Sequence, residues 1–412
     1  MFGKLSSIVC NMRLYPLFIC ATLSLLFSCK SETDTDITRL DGTFDDNYLE
    51  SWEYIILEED TPDAMLGDIN QEIRYDDGLF FICSESNRTS SIKVFDRTGR
   101  YLNDIGRIGR GRNEVLSHDF WTLDINSNEV LIAQSAGYPS TVTIKRYDYT
   151  GKYLGQTQTE SLGENCLLRD LAKVTSDGTI LIQDNLVHPA PTHEYYNIRK
   201  DGSISPFLDL TGCHMNQPGI DLNLFMQTRE AKADMTVGRT TLTGVFNPCS
   251  DTTYVIRKMD NNIYRLYGDK AECITKMSFL PDAPDRFRNG GFDDWDLDEE
   301  FYSYSIGLFM DMKDYLYIYN NEDIYIFNKA DSKMFRMDPD TIHAKLPNHR
   351  FISVYGNDII SCVDVFLIKD ELEFINSKDY DHRYSPEVEA FYRKVKDCSN
   401  PPIIIGHYMN RR

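Results

Sequence analysis

Residues 76–102 read DDGLFFICSESNRTSSIKVFDRTGRYL and contain three apolar runs, at 79–82, 92–95 and 101–102. The runs are rich in the aromatic and branched side chains that favour β-strands. Turn sequences precede the first and third runs, Asp76-Asp77-Gly78 and Thr98-Gly99, and Gly and Asp tolerate the positive φ of tight hairpins. The stretch therefore predicts strands joined as antiparallel hairpins.

The same pattern recurs along the chain. Residues 128–154 and 177–204 repeat it closely, and the turn glycine returns at positions 99, 151 and 202, about 51 residues apart. Weaker copies cover 252–270, 314–333 and 352–366, where 363–366 is expected to be a strand. Units of about four strands are too small to fold alone but are stable when they stack radially.

The repeat predicts an all-β fold, a six-bladed β-propeller with four-stranded antiparallel blades over residues 45–412. Two apolar runs near the ends, 52–57 and 402–408, are expected to close the ring as N- and C-terminal strands, since closure removes exposed edges. A pair of β-sandwiches is the alternative, which the sustained period disfavours.

Composition limits the possible partners. The 412 residues include 64 acidic and 43 basic side chains, for a net charge of −21. Nucleic acid is excluded as a partner because phosphate binding requires a basic stripe. Adsorption to anionic lipid is disfavoured for the same reason. The 25 Tyr and 22 Phe are expected to pack between blades.

The N-terminus has the features of an export signal. Residues 14–27 are an apolar run that is too short to span a bilayer and suits the hydrophobic region of a signal peptide. Leu26-Phe27-Ser28-Cys29 resembles the lipobox of bacterial lipoproteins, which implies a signal peptide at 1–28, cleavage before Cys29 and acylation, with palmitate or a related chain, of that residue. A plain secretory signal is the alternative. Residues 29–44 are expected to be an acidic tether.

The ten cysteines show no metal-binding spacing. Cys83 and Cys362 lie in apolar runs and are expected to be buried thiols. Export permits disulfides, and Cys213 with Cys249 is the pair to test for a bridge.

The stretch 92–114 resembles the six-bladed β-propeller lipoproteins of Gram-negative bacteria, whose repeats are similar to NHL repeats. The matching residues are Phe95, Asp96, Gly99, Arg100, Tyr101, Ile105, Gly106, Arg107, Gly109, Gly111 and Glu114. Arg112 and Asn113 stand where Pro and Gly are usual in that family. The tail from Asn400 to Ile405 also resembles the family's closing strand. The resemblance implies a propeller at the outer membrane, either surface-exposed or periplasmic, and assigns no activity.

Arg107, Arg110 and Arg112 form the candidate binding site. Three arginines on a glycine-rich loop of an acidic protein are suited to clamp a carboxylate, sulfate or phosphate. No helix pattern and no GK[ST] follows, so a nucleotide-binding loop is excluded. In the alternative interpretation, the glycines shape a turn between blades and the arginines pair with neighbouring acids.

Two further clusters are weaker candidates. Asp294, Asp296 and Asp298 alternate as calcium ligands do, although a solvated acidic insertion is favoured. His188, His193 and His214 match no metal-binding spacing. We therefore expect no metal, no cofactor and no assignable catalytic residue.

The sequence predicts a lipid-anchored binding or scaffold module of the cell envelope, which recognises a glycan, a peptide or a protein partner. The alternative is a glycan-active lyase or hydrolase with an acid/base site at the mouth of the channel. A structural subunit of an outer-membrane complex is the third possibility.

Overall fold

The chain forms a six-bladed β-propeller, as the repeat predicts. This computed structural model describes residues 37–38, 40–43, 49–86, 89–136, 141–162, 167–184, 187–188, 193–209, 220–221, 243–256, 262–268, 270–277, 306–320, 324–337, 345–347 and 350–408. Two helices are present in these ranges. The six blade sheets, which are separate from one another, exclude the pair of β-sandwiches.

Three N-terminal strands precede the blades: β1 (Ile37–Thr38), β2 (Leu40–Thr43) and β3 (Leu49–Ile55). Blade one contains β4 (Asp68–Asp76), β5 (Leu79–Ser86), β6 (Thr89–Asp96) and β7 (Tyr101–Ile105). Blade two contains β8 (Phe120–Asp124), β9 (Glu129–Ala136), β10 (Thr141–Asp148) and β11 (Tyr153–Ser161). Blade three contains β12 (Leu167–Val174), β13 (Thr179–Asp184), β15 (His193–Ile198) and β16 (Ile204–Asp209), with the short β14 (Val187–His188) before β15. β14 pairs in parallel with β17 (Ile220–Asp221).

The next two blades differ at their edges. β18 (Thr243–Phe246) precedes the blade-four strands β19 (Thr253–Ile256), β20 (Asn262–Tyr267) and β21 (Lys270–Met277). Blade five contains β22 (Ile306–Asp311), β23 (Tyr315–Asn320), β24 (Ile324–Asn328) and β25 (Lys333–Met337). β18 pairs in parallel with β22 and so joins the sheet of blade five.

Blade six is built from both ends of the propeller. Its sheet has the order β26 (Arg350–Tyr355), β27 (Asp358–Cys362), β28 (Ile403–Tyr408) and then β3, all antiparallel. The predicted closure by the two terminal runs is confirmed.

The N-terminal strands also cover the outer edges of blades four and five. β1 pairs in parallel with β21, and β2 pairs in parallel with β25. Residues 37–38 and 40–43 therefore belong to the sheets, although the sequence analysis included them in the tether. Outer strands need a partner or a cover, which these short strands provide.

The expected strand at 363–366 is wrong, because the chain leaves the sheet there. Helix α1 (Val365–Ile375) begins after Asp364, whose carboxylate accepts the Phe366 N–H at 2.8 Å as an N-cap. Helix α2 (Pro386–Val395) follows, and Phe391 packs against Trp52 and Tyr54 of β3. The sequence analysis did not identify this helical pair, which occupies the connection between β27 and β28.

Several of the described aromatic side chains pack between blades. Phe81 and Trp121, both fully buried, share a cluster between blades one and two. Phe80 joins Ile360 and Ile403 in the cluster between blades one and six.

The repeated turn glycines explain the period of the sequence. Gly99, Gly151 and Gly202 have φ of +85°, +85° and +89°. A Cβ on each would lie 2.0, 2.6 or 2.4 Å from a carbonyl oxygen in or next to the outer strand of the preceding blade. For Gly99 that oxygen belongs to Ile56, directly after β3, so the same contact is repeated across the point of closure. Glycine is therefore required both by backbone conformation and by the approach of the next blade.

We expect Gly151→Ala to destabilise the propeller by about 3 kcal/mol or more, because a left-handed alanine costs roughly 1–2 kcal/mol and the Asp104 carbonyl must also move. Gly356→Ala is the matched control, since its φ is +64° and nothing lies within 4 Å of the added Cβ. Chemical denaturation measures both. Equal losses for the two variants would show that contact between blades does not restrict position 151.

Candidate functional site

The arginine loop, residues 106–119, connects β7 of blade one to β8 of blade two. Its two arms are joined by backbone hydrogen bonds, from Gly109 N–H to the Val115 carbonyl at 2.8 Å and from Val115 N–H to the Arg107 carbonyl at 2.9 Å. Val115 is fully buried and anchors the loop between blades one and two. The loop is therefore a fixed turn on the propeller.

Glu114 shapes the tip of this loop. Its Oε2 accepts the Gly111 N–H at 2.7 Å, and its own N–H donates to the Gly111 carbonyl at 3.1 Å. A Cβ on Gly109 would lie 2.0 Å from the same carboxylate oxygen. Gly109, Gly111 and Glu114 thus form one structural unit, which gives a physical reason for the spacing of these three residues in the sequence.

His118 supports the loop from inside. The ring is 2 % exposed, Nε2 donates to the Gly106 carbonyl at 2.5 Å and Nδ1 accepts the Ser90 hydroxyl at 2.9 Å. Burial lowers the pKa of His118, which favours the neutral ring. The sequence analysis did not single out this residue, because its role depends on contacts with a neighbouring strand.

The three predicted site residues lie on the outside of this rigid frame. Arg107, Arg110 and Arg112 are exposed. Within the described part of the chain, none of them has a hydrogen bond or an ion pair to an acidic side chain. The glycines do shape the turn, as the alternative interpretation held, but its proposed pairing of the arginines with acids is not observed among the described residues. Leu116, in the same loop, is 64 % exposed.

The first strand of each blade ends on one face of the propeller, which we call the turn face. A second group of polar side chains lies there. Asp76, the last residue of β4, is 4 % exposed. Its two oxygens accept the Tyr149 hydroxyl at 2.6 Å and the Tyr355 hydroxyl at 3.2 Å. Burial raises the pKa of both tyrosines, and the Asp76 carboxylate adds to the effect. Three side chains from blades one, two and six are thereby linked.

Buried charges continue this group across blades three, four and five. Asp311 is 1 % exposed, and it contacts the Lys329 ammonium and accepts the Tyr254 N–H at 3.1 Å. Lys173, also 1 % exposed, donates to the Thr252 carbonyl at 3.3 Å, and burial lowers its pKa to about 8. Lys173 and Asp311 thus each have a partner, and their hydrogen bonds to Thr252 and Tyr254 link the inner strands of neighbouring blades.

The remaining sequence candidates do not form a site in the described residues. His188 lies in β14 and His193 in β15, in different sheets. His214, Asp294, Asp296, Asp298 and Cys29 lie outside the described residues. Cys213 also lies outside them, while Cys249 is a free thiol. Cys83 and Cys362 are buried, as expected.

Among the described residues, no group of three or more His, Cys, Asp or Glu side chains is arranged to hold a metal ion. Within the same ranges, neither helix has the length and apolar character needed to cross a bilayer.

Comparison with known proteins places the chain in a family. Residues 36–407 match the model of a domain of unknown function, DUF4934. The chain belongs to the DUF4934 family. No curated protein matches it. A solved structure described as a "putative exported protein" from Bacteroides fragilis is similar, with 13 % identity and a TM-score of 0.61 over 90 % of this chain and 99 % of that one.

A member of the DUF4221 family from Bacteroides vulgatus has 10 % identity and a TM-score of 0.47, over 88 % of this chain and 97 % of the other. At these identities, the first comparison supports the propeller fold of this DUF4934 member and carries no further inference. The match begins at residue 36, next to the first described strand, so the family domain includes the N-terminal strands that complete blades four, five and six.

Proposed function

We propose that this DUF4934 member is a lipid-anchored binding module of the cell envelope, which recognises an anionic glycan, peptide or protein through the arginine loop. One observation carries the proposal: three exposed guanidinium groups without described partners project from a loop that is fixed by Glu114, Val115 and His118. A fixed loop loses little conformational entropy when a ligand binds. Guanidinium groups recognise carboxylate, sulfate and phosphate through paired hydrogen bonds.

Charge distribution supports the same conclusion. The whole chain carries a net charge of −21, so a cluster of three cations is a local exception. The acidic remainder repels a polyanion, so an anionic ligand is guided toward this loop. The enzymatic alternative has weaker support, because Asp76 and Asp311 at the turn face are buried and already hydrogen-bonded.

The binding proposal is tested with dextran sulfate as an anionic probe and dextran as its neutral counterpart. The full chain is expected to bind dextran sulfate at low salt and to bind it at least tenfold more weakly after Arg107→Ala, Arg110→Ala and Arg112→Ala, since each lost charge-assisted hydrogen bond costs roughly 1.5 kcal/mol or more. The matched control removes three exposed lysines, Lys378, Lys394 and Lys396, from the helical connection. Equal binding by the two triple variants would contradict a specific role for the loop.

The membrane anchor of the proposal rests on the lipobox-like sequence that ends at Cys29. Two or more acyl chains give durable attachment, whereas one chain is marginal. Cells fed radiolabelled palmitate are expected to label the chain, and Cys29→Ala is expected to abolish the label. Cys249→Ala is the control, and label that persists in Cys29→Ala would refute the anchor without affecting the binding proposal.

A further inference from the structure

A cavity of about 220 Å³ opens at the turn face between blades two and three. Its walls come from the turn between β8 and β9, from β10 and β11, and from the turns that follow β12 and β15. Strand β8 runs from the arginine loop to the first of these turns, so the cavity lies on the opposite face of the propeller. None of the residues that line it belongs to the buried group of Asp76, Tyr149 and Tyr355.

Charged side chains surround this cavity. Arg146, Arg199 and Lys200 supply three cations, while Asp124 and Glu129 supply two acids. Arg146 lies 3.5 Å from Glu129, and its side chain is 44 % exposed. Lys200 is exposed. The excess of cations favours a ligand with a negative charge.

Asp124 is the fixed polar group of the cavity. It is 7 % exposed, and Oδ1 accepts the N–H groups of Asn126 and Ser127 at 3.1 and 3.3 Å. Among the described contacts, Oδ2 carries no hydrogen bond. A carboxylate held in this way is an acceptor for the hydroxyl groups of a ligand.

The other side of the cavity is aliphatic. Leu131, Ile144 and Ile198 line it and are each no more than 5 % exposed. Thr175 and Thr179 add two hydroxyl groups beside them. A fitting ligand therefore has an anionic end, several hydroxyl groups and an apolar C–H surface.

We propose that this cavity binds a small polyhydroxylated carboxylate, which is the chemistry of a uronic acid. The ligand carboxylate lies toward Arg146 and Lys200, and its hydroxyl groups donate to Asp124 and Glu129. Its C–H surface lies against Leu131 and Ile144. Pockets of this kind combine apolar walls with a few polar groups that fix orientation.

Isothermal titration calorimetry of the full chain with sodium D-glucuronate tests this proposal, with D-glucose as the neutral counterpart. We expect saturable binding of glucuronate, at least tenfold weaker binding of glucose, and weaker glucuronate binding at high salt. Ser127→Trp fills the entrance and is expected to reduce affinity at least tenfold. Asn126→Trp, on the same turn but outside the lining, is its control.

Arg146→Gln provides a second test that does not add bulk, and it is also expected to weaken glucuronate binding at least tenfold. Circular dichroism identifies a variant that fails to fold. If one of these two variants does not fold, the affinity of the other variant for glucuronate decides the test. The absence of saturable glucuronate binding, or equal affinity for glucose, overturns the proposal. So does unchanged affinity in a folded Ser127→Trp or Arg146→Gln variant. The triple arginine-loop variant is expected to retain glucuronate binding, so failure here is distinguishable from failure of the proposed function.

Discussion

A chain that ends after Asn400 is expected not to fold. The truncation removes β28, which is the third strand of blade six and lies between β27 and β3. Ile403, Ile404 and Ile405 are each no more than 1 % exposed. Burial of an isoleucine side chain contributes roughly 1.5–3 kcal/mol. In addition, β3 loses its paired strand and β27 loses one of its two. The total approaches the entire stability of a typical domain, about 5–15 kcal/mol.

Thermal melting followed by circular dichroism measures this effect. A chain that ends after Tyr408 is the matched control, because it keeps all of β28 and removes only the last four positions of the sequence. We expect a cooperative transition for the control and none for the shorter chain. A native-like melting temperature in the shorter chain would refute closure of the ring by the two termini.

Asn400→Ala is expected to destabilise the propeller by about 3 kcal/mol or more. Asn400 is 1 % exposed. Its Oδ1 accepts the Leu66 N–H at 2.8 Å, and its Nδ2 donates to the carbonyls of Glu58 and Ala64 at 2.8 and 3.1 Å. Alanine leaves these three backbone groups without a partner, and each such group costs roughly 1–3 kcal/mol when buried.

Urea denaturation compares this variant with Asn126→Ala, in which an exposed turn asparagine is lost. The control is expected to remain within about 0.5 kcal/mol of the parent protein. A similarly small change for Asn400→Ala would show that the contact between the C-terminal tail and residues 58–66 is dispensable. This contact gives a physical reason for the asparagine in the tail that resembles the closing strand of propeller lipoproteins.

The repeat could be recognised in the sequence because the hydrogen bonds of its turns join residues that are close in sequence. Asp96 Oδ1 accepts the Thr98 N–H at 2.9 Å and the Thr98 hydroxyl at 2.6 Å. Asp148 makes the same contacts with Thr150, at 3.0 and 2.7 Å. Such turns depend on neighbours in sequence, so the pattern is plain in the first two copies, while in the third Asp201 accepts instead from Ser203. The parallel pairing of β18 with β22 has no local signal, and the sequence did not predict it.

The helical connection was missed for a related reason. The run 363–366 is apolar enough for a strand, and a short apolar run does not distinguish a strand from a helix. The third position of blade six is occupied by β28, which is distant in sequence. Competition for that position cannot be read from residues 363–366 alone.

The sequence identified one part of the candidate sites, and the rest depended on the tertiary structure. Glycine spacing identified the arginine loop, and Glu114 confirms that the spacing is structural. The supporting contact from His118 joins the loop to β6, through Ser90, and so needed the tertiary structure. The cavity near Asp124 was also invisible in the sequence, because its walls come from two blades whose turns share no motif.

The sequence by itself determined the number of blades, their order and the strands that close the ring, because those depend on periodic strands and turns with local signals. Only the tertiary structure decided which strands cover the outer edges of blades four and five, and that both helices lie within blade six. It also decided that the three loop arginines have no acidic partner among the described residues, and where blades two and three leave an open cavity. These properties arise from contacts between segments distant in sequence, which neither periodicity nor composition records.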